Sequence, residues 1–406
     1  MTDTTREFIL SHRECDVRQL ALQASRYPEV DMPTAIHQIA GWQQARQKLP
    51  SWAACDDIIY PPHLALEQCS SEHTARYKAT LAQRLVNLYA KDKSTTSMVD
   101  MTGGLGVDFA FLSTVFDHAT YIEQQSELCQ CARHNFTVLG LNHTDVIEAN
   151  SLEALSQLTS VTMLMADPAR RSKSGSRTYA ISDCTPDILP ILPQLMEKAD
   201  FMLLKLSPML DWHQAVDSIQ RTAGQIVREI HTVAVANECK ELLLVLSAQN
   251  TDTPIQLFCA NDQQQFVADA QTTHDAVGIA TPDEAMQAAW IYEPNAAIMK
   301  AGCFPAITQQ YGIKALAHNS HLFVSTLPIK DFPGRQLRVE KITTMNKKVL
   351  RESLHGITKA NISVRNFPLT AQQLKHQLKL SDGGDIYLLA STLSNRQHVI
   401  FVCSRN

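Results

Sequence analysis

Thr96 to Asp108 reads Thr-Ser-Met-Val-Asp-Met-Thr-Gly-Gly-Leu-Gly-Val-Asp, and the residues best suited to chemistry begin here. A short apolar strand ends at Asp100. Gly103, Gly104 and Gly106 then make a turn before a helix that opens at Val107. Glycine reaches backbone angles closed to other residues and lets a ligand approach the main chain. The N-terminus of a helix behind such a turn offers unpaired N–H groups, the arrangement that nucleotide-like cofactors need. Two more polar groups follow strands: Glu123, 19 residues beyond Gly104, and Asn150 after Glu148-Ala149. A carboxylate can accept from two vicinal hydroxyls at once, and an amide oxygen can accept from an amine. Another strand ends in Ala166-Asp167-Pro168-Ala169-Arg170-Arg171. There an acid stands beside two guanidinium groups able to stack on a base or hold phosphate. Lys205, at the end of the next strand, either meets phosphate or substrate or is a lysine at the edge of the core.

Regular elements must carry these groups. Strand signals recur at 97–100, 119–123, 145–149, 161–166, 200–206, 231–236 and 242–247, with helical segments separating the first six. Met163-Leu164-Met165 and Leu203-Leu204 lie in near-continuous apolar runs, as expected of strands buried on both faces. Only Asn237 to Glu241 join the last two strands, too short a link for a parallel crossover, so these two should be antiparallel.

Residues 1–94 read as helical, with Phe8, Ile9, Leu20, Leu22, Ala35, Ile36, Ile39 and Trp42 at helical spacing between breaks at Pro28, Pro33 and Pro50. Ser70 or Ser71 is positioned to cap a further helix that leads into the first strand. After the 95–250 domain, residues 251–330 read as an extension with a small hairpin (255–259 and 266–269) and a small α+β unit. That unit has a helix over 295–311. Residues 331–406 follow as strand (337–343), helix (346–355), strand (361–365), helix (370–379) and two strands (385–391, 398–403).

The chain carries a formal net charge of −5, but the charge is uneven. From Pro333 onward there are 12 Lys and Arg against 4 Asp and Glu, a balance of +8, which leaves −13 for the remainder. A basic tail on an acidic body fits a polyanionic partner, or else a solvated surface. The ten cysteines are scattered without a disulfide-like framework, and the single close pair, Cys129 and Cys131, lacks a second pair to build a metal site. Reduced thiols, no apolar run near the ~20 residues of a membrane span, and charges through Met1–Arg13 lead us to expect a cytoplasmic protein with no metal and no membrane partner.

The Asp100-x-x-Gly-Gly-x-Gly spacing departs from the Gly-x-Gly-x-x-Gly of dinucleotide enzymes. It resembles the first motif of class I S-adenosylmethionine (SAM) methyltransferases. Thr102 stands where many members have their first glycine, as in nucleic-acid N-methyltransferases and the trimethylguanosine synthase group. The resemblance implies SAM held by Asp100, Thr102, Gly103, Gly104 and Gly106, with Glu123 gripping the ribose hydroxyls and Asn150 reading adenine. Asp167-Pro168 falls where amino-methyltransferases carry an Asp/Asn-Pro-Pro-aromatic motif that receives the target amine. Ala169-Arg170 departs from that motif, leaving no aromatic ring to stack on a base. Asp167, Pro168 and Arg170 are therefore the expected catalytic set.

Together with Glu67–Glu72, Ile362–Pro368 and Gly383–Leu388, this form resembles bacterial methyltransferases of the Bacteroidetes type with a THUMP-like C-terminal domain. The implied fold is α/β: a seven-stranded Rossmann-like class I methyltransferase sheet, an N-terminal helical region and a C-terminal α+β (ferredoxin-like/THUMP-like) region. THUMP domains of other enzymes dock structured RNA. The implied partner is therefore tRNA or rRNA rather than DNA, methylated at a base nitrogen and contacted by Arg171, Lys205, Arg338, Lys347, Lys348, Arg351 and Arg365. Two other readings fit the sequence: a methyltransferase of proteins or small molecules, and an RNA-binding protein that holds SAM without transferring its methyl group.

Overall fold

The computed structural model describes residues 1–61, 63–155, 159–170, 180–249 and 253–405, with His63, Leu64, Leu155 and Arg170 described by their backbone alone. It divides into two units, Met1–Arg228 with Glu241–Asp252 and Glu229–Lys240 with Thr253–Asn406.

The first unit is built on a sheet whose strands are β1 (Ser97–Asp100), β2 (His118–Glu123), β3 (Thr144–Glu148), β4 (Val161–Ala166), β5 (Ala199–Leu206), the opening of β6 (Val227–Val235) and most of β7 (Glu238–Leu246). They lie in the order β3-β2-β1-β4-β5-β7. The strands from β3 to β5 are parallel, and β7 runs antiparallel to β5, pairing Met202 with Leu246 and Leu206 with Leu242. The Ser247 N–H donates to the Ile226 carbonyl at 2.8 Å, which sets the start of β6 beside the end of β7. This is the expected sheet with its reversed last strand. Both hairpin strands are longer than the apolar pattern suggested, β6 taking in Arg228 and Glu229 and β7 taking in Glu238 and Lys240. Met163 to Ala166 on β4 and Phe201 to Leu204 on β5 are buried on both faces.

Helices precede the sheet in the chain. α1 (Asp3–His12) and α2 (Met32–Lys48) are capped by the Thr2 hydroxyl and the Asp31 carboxylate. Phe8, Leu20, Met32, Ala35 and Ile39 form a small core of their own. Leu22, expected on that apolar face, is 87% exposed, because its helix ends at that residue. Ser71 caps α3 (Glu72–Tyr89), accepting from the Thr74 N–H at 3.3 Å, so Ser70 is left for another task. The glycine turn leads from β1 into α4 (Val107–Ser113). A Cβ on Gly103 would lie 2.2 Å from the Tyr121 ring, so β2 can carry a tyrosine under the turn only if that residue has no side chain. Gly106 holds φ at +82° as it caps α4, and a Cβ there would lie 2.8 Å from the Phe136 ring on α5 (Ser126–Val138). α6 (Trp212–Ala223) leads from β5 to β6.

In the second unit the expected hairpin, β8 (Gln256–Asn261) and β9 (Gln264–Asp269), is not a separate element. β8 pairs in parallel with Glu229–Ala234 of β6. A second sheet contains β10 (Trp290–Pro294), β11 (Phe323–Ser325), β12 (Gly334–Thr344), β13 (Asn361–Arg365), β14 (Ile386–Thr392) and β15 (His398–Ser404). Its order is Lys314–Ala315, then β11-β10-β12-β15-β14-β13, so strands on both sides of residue 333 share one sheet. The single helix expected over 295–311 is two helices, α7 (Ala296–Ala301) and α8 (Phe304–Tyr311), because Gly302 turns left-handed at φ +72°. α9 (Lys347–Ser353) and α10 (Ala371–Leu378) contribute Leu350 and Leu374 to a core with Leu388, Ala390 and Ile400. Among the described residues, no helix is long and apolar enough to cross a membrane.

Gly103→Ala drives a methyl group into the Tyr121 ring and should cost about 1–3 kcal/mol as overpacking. Urea unfolding should show this loss, and Gly103→Ala combined with Tyr121→Leu should recover part of it.

Candidate active site

β1 and β4 end side by side, and their last residues are stitched together. The Met101 N–H donates to the Met165 carbonyl at 2.9 Å, and the Asp167 N–H donates to the Thr102 hydroxyl at 2.6 Å. The Thr102 N–H in turn donates to Asp100 Oδ1 at 2.9 Å. Asp100 is buried, 3% exposed. Desolvation, with the Asp108 and Asp167 charges adding to it, pushes its carboxyl up to about 7 against the opposing Thr102 N–H.

β2 supplies the other side of the turn. Glu123 accepts from the Gly104 N–H at 3.0 Å through one oxygen and from the Gln125 N–H at 2.9 Å through the other. Its carboxylate is thus fixed before any ligand arrives, with lone pairs left over on both oxygens. The Tyr121 hydroxyl donates to the Gly104 carbonyl from below. Gly104 holds φ at +55°, and a Cβ there would meet only the Thr102 carbonyl at 3.8 Å, so space beside the turn is open to a ligand. The Ala149 N–H donates to the Glu123 carbonyl at 3.1 Å and leads the chain to Asn150. Asn150 is exposed and accepts from the Leu152 N–H at 2.9 Å through its side-chain oxygen, so it also caps the helix Ser151–Leu155.

Beneath the end of β4 lies a group of charges. Lys205 on β5 donates to Asp167 Oδ2 at 2.6 Å, to Ser70 Oγ at 3.0 Å and to Asp108 Oδ2 at 3.2 Å. Ser70 donates to Asp108 Oδ2 at 2.7 Å. Lys78 on α3 is fully buried; it donates to Glu241 on β7, and its ammonium lies 3.1 Å from Asp108 Oδ1 as an ion pair. Burial alone would lower the Lys205 pKa, but Asp167, Asp108 and Glu241 hold it well above its usual value. Burial likewise opposes ionisation of Asp108, but the two lysines outweigh it and hold its pKa below the usual carboxylate range. Burial pushes the Cys69 thiol up to about 11, which keeps it protonated at neutral pH. Among the described residues no group of His, Cys, Asp and Glu could hold a metal.

The structure therefore gathers Asp100, Thr102, Gly103, Gly104, Gly106 and Glu123 at the ends of β1 and β2, with Asp167, Pro168 and Lys205 on the neighbouring strands. The Lys205 ammonium points into the protein at carboxylates and is not free for phosphate. Arg170 pairs through its backbone with Cys184 in a short ribbon, Ala169–Arg170 with Cys184–Thr185. Arg171 and the Ser172–Arg177 part of the expected lid lie outside the described residues. Arg338, Lys347, Lys348, Arg351 and Arg365 belong to the second unit. There Arg365 donates to Glu293 at 2.8 and 3.1 Å, and Arg338 lies 3.9 Å from Glu340. Lys347, Lys348 and Arg351 are exposed on α9. The sequence reading missed Lys78, Asp108 and Glu241. A lysine between Ala75 and Ala82 on the apolar stripe of a helix was the signal available for the first.

Residues 290–333 match a ferredoxin-like domain family, and residues 334–405 match a THUMP domain-like family. A crystal structure of a candidate methyltransferase from Porphyromonas gingivalis W83 is similar to the chain throughout, with a TM-score of 0.83 and 29% identity over 99% of this chain and 97% of that one. The first unit has the class I methyltransferase fold. Its strand order, reversed last strand and glycine turn after β1 all agree with that assignment. Weaker matches include the N-terminal domain of human METTL16 in complex with SAH, at TM-score 0.39 and 15% identity over 57% of this chain and 94% of that one. Another is an RNA methyltransferase candidate from Pyrococcus horikoshii, at TM-score 0.36 and 13% identity over 50% and 98% of the two chains. No curated protein matches the chain.

The pKa of Asp100 yields a pH-dependent prediction. It is raised from 3.8 to about 7, so between those values the folded protein keeps a proton that the unfolded chain has lost. Stability from this group is complete below pH 4 and falls as pH rises toward 7. Asn cannot titrate and can still accept from the Thr102 N–H. Asp100→Asn should therefore gain on wild type between pH 4.5 and 7, on the order of a few kcal/mol at most. Urea midpoints measured across that range test it, and a constant difference would refute the buried-acid assignment.

Proposed function

We propose that this protein is a SAM-dependent methyltransferase that acts on RNA at a base nitrogen. The observation that carries the reading is the Thr102–Asp167 stitch, which sets the acidic acceptor of the Asp167-Pro168 motif against the glycine turn. Bound SAM supplies an electrophilic methyl group on a sulfonium. The chain's residues fit that group, since the turn is left open at Gly104 and Glu123 retains acceptor capacity beside it. Asp100, Thr102, Gly103, Gly104 and Gly106 would line the cofactor, Glu123 would take the ribose hydroxyls, and Asn150 would meet the adenine.

Asp167 accepts an N–H of the target amine and so directs the nitrogen lone pair at the methyl carbon. Pro168 is buried and stiffens the chain that follows this acid. Transfer to the nitrogen would break the methyl carbon–sulfur bond, leave its electron pair on sulfur and release the nitrogen's surplus proton to water. Such a displacement needs little acid–base help, so catalysis comes mainly from position.

RNA is favoured as the substrate by two properties of the second unit: the match of residues 334–405 to a THUMP-like family, and the +8 balance from Pro333 onward. Lys347, Lys348 and Arg351 offer the exposed charge for phosphates, and Arg170 and Arg171 stand in the motif where a base would arrive.

Glu123→Ala should weaken SAM binding by about 1.5–3 kcal/mol, the worth of hydrogen bonds to a charged group. Asp167→Ala should bind SAM normally and lose turnover, because its contact matters at the transition state. Calorimetry and methyl transfer from labelled SAM to RNA separate the two. Unchanged SAM affinity in a folded Glu123→Ala protein, or a normal rate for Asp167→Ala, would overturn the corresponding role.

Reversing the charge at Lys347, Lys348 and Arg351 should weaken RNA binding across sequences and flatten its dependence on salt, since each phosphate contact releases counterions. SAM affinity should be unaffected. If wild-type affinity for RNA does not change with salt, the tail is a solvated surface and the RNA reading fails.

A further inference from the structure

We infer that Lys205 is a positioning residue that fixes the Asp167 carboxylate and decides which of its oxygens receives the substrate amine; this rests on the reading of Asp167 as the amine acceptor. An ammonium has three N–H donors. Lys205 meets three acceptors, Asp167 Oδ2 at 2.6 Å, Ser70 Oγ at 3.0 Å and Asp108 Oδ2 at 3.2 Å, so none is left over for a phosphate. Two of these acceptors are themselves held from behind. Ser70 donates to Asp108, and Asp108 lies against Lys78, which is fully buried and bonded to Glu241. The Lys205 ammonium is therefore located by groups that do not touch the acceptor site, and it projects one N–H toward Asp167.

Asp167 needs such a tether. Its side chain is 40% exposed, against 12% for Lys205, so an untethered carboxylate could rotate into water. The main chain of Asp167 is pinned by the Thr102 hydroxyl and one carboxylate oxygen by Lys205. Among the described residues Oδ1 has no partner. It is the oxygen left to accept the amine N–H, and its direction is set by the two bonds that hold the rest of the residue. With one oxygen held by Lys205 and the other left open, Asp167 acts as an acceptor that orients the amine.

Steady-state methyl transfer to RNA by the full chain tests this with Lys205→Met and Lys205→Arg. Lys205→Met should lower kcat at least 50-fold, leaving the KM for RNA and the Kd for SAM within about twofold of wild type. Lys205→Arg, which retains the charge and several donors, should recover at least a tenth of the wild-type rate. The proposal is overturned if kcat is unchanged in a folded Lys205→Met protein. It is also overturned if SAM affinity and melting temperature fall along with kcat and the arginine restores none of them, the behaviour of a lysine that merely supports the fold. Should the wild-type protein transfer no methyl group to RNA, the RNA reading fails, and a crystal structure of Lys205→Met decides the positioning role by itself. A displaced Asp167 carboxylate supports the role; an unmoved one overturns it.

Discussion

Two ammonium groups and three carboxylates meet at the C-terminal edge of the sheet, all but Asp167 largely buried. Removing ions from water costs several kcal/mol each, repaid only where geometry is good and the remaining donors and acceptors are met. This cluster meets that condition only if five separate segments arrive in register. α3 brings Lys78, the residue before its cap brings Ser70, the first turn of α4 brings Asp108, and β4, β5 and β7 bring Asp167, Lys205 and Glu241. The reversal of β7 makes this possible. Because β7 runs against β5, with Leu242 opposite Leu206, the residue that enters β7 from its charged end stands at the same edge as the last residues of the parallel strands. A parallel strand there would have put its first residues at the opposite edge of the sheet.

The same edge gives Thr102 a task that a glycine at this place could not perform. Thr102 accepts from the Asp167 N–H through its hydroxyl and donates its own N–H to Asp100, so it joins the end of β1 to the motif at the end of β4. Glycine would leave the Asp167 N–H without that partner. The bond links the strand that leads into the glycine turn to the strand that ends at Asp167-Pro168. The glycines that do remain have separate reasons: Gly103 has Tyr121 beneath it, and Gly106 must turn left-handed to start α4.

Much of the first unit was legible because its signals are local. Apolar runs bounded by glycine and charge located β1 to β5, and the short link between the last two strands required an antiparallel pair. The glycine turn, Glu123 and Asp167 could be placed because each follows directly on such a strand. What escaped was set by distance along the chain. Lys78 and Glu241 are 163 residues apart and meet in the interior, and neither carries a local mark of its partner. Lys205 was identified as a site residue, but its direction was not, since a lysine at a strand end looks the same whether it faces solvent or a buried acid. Ser70 and Ser71 could each have been the cap, and only the geometry assigns that task to Ser71. The break at Gly302 and the pairing of β8 with β6 were missed for opposite reasons, one a single residue's dihedral angle and the other a pairing between distant segments.

The basic charge of the C-terminal region shows the same limit of composition. A balance of +8 over this stretch says that positive charge is present, not that it is available. Arg365 is bonded to the largely buried Glu293, which Arg335 also approaches at 3.7 Å, and Lys375 pairs with Asp382 at 2.5 Å. These cations are already engaged by acids of their own unit. Lys347, Lys348 and Arg351 differ: they are exposed on one short helix and have no ion pair among the described residues. Like charges held close together oppose folding, and Glu352 is the one acid on that helix against these three cations. Leu350, between Lys348 and Arg351, is buried against the sheet and anchors the helix so that its polar side faces outward. The local excess is therefore displayed on a fixed surface, the condition under which a polyanion gains most from binding it.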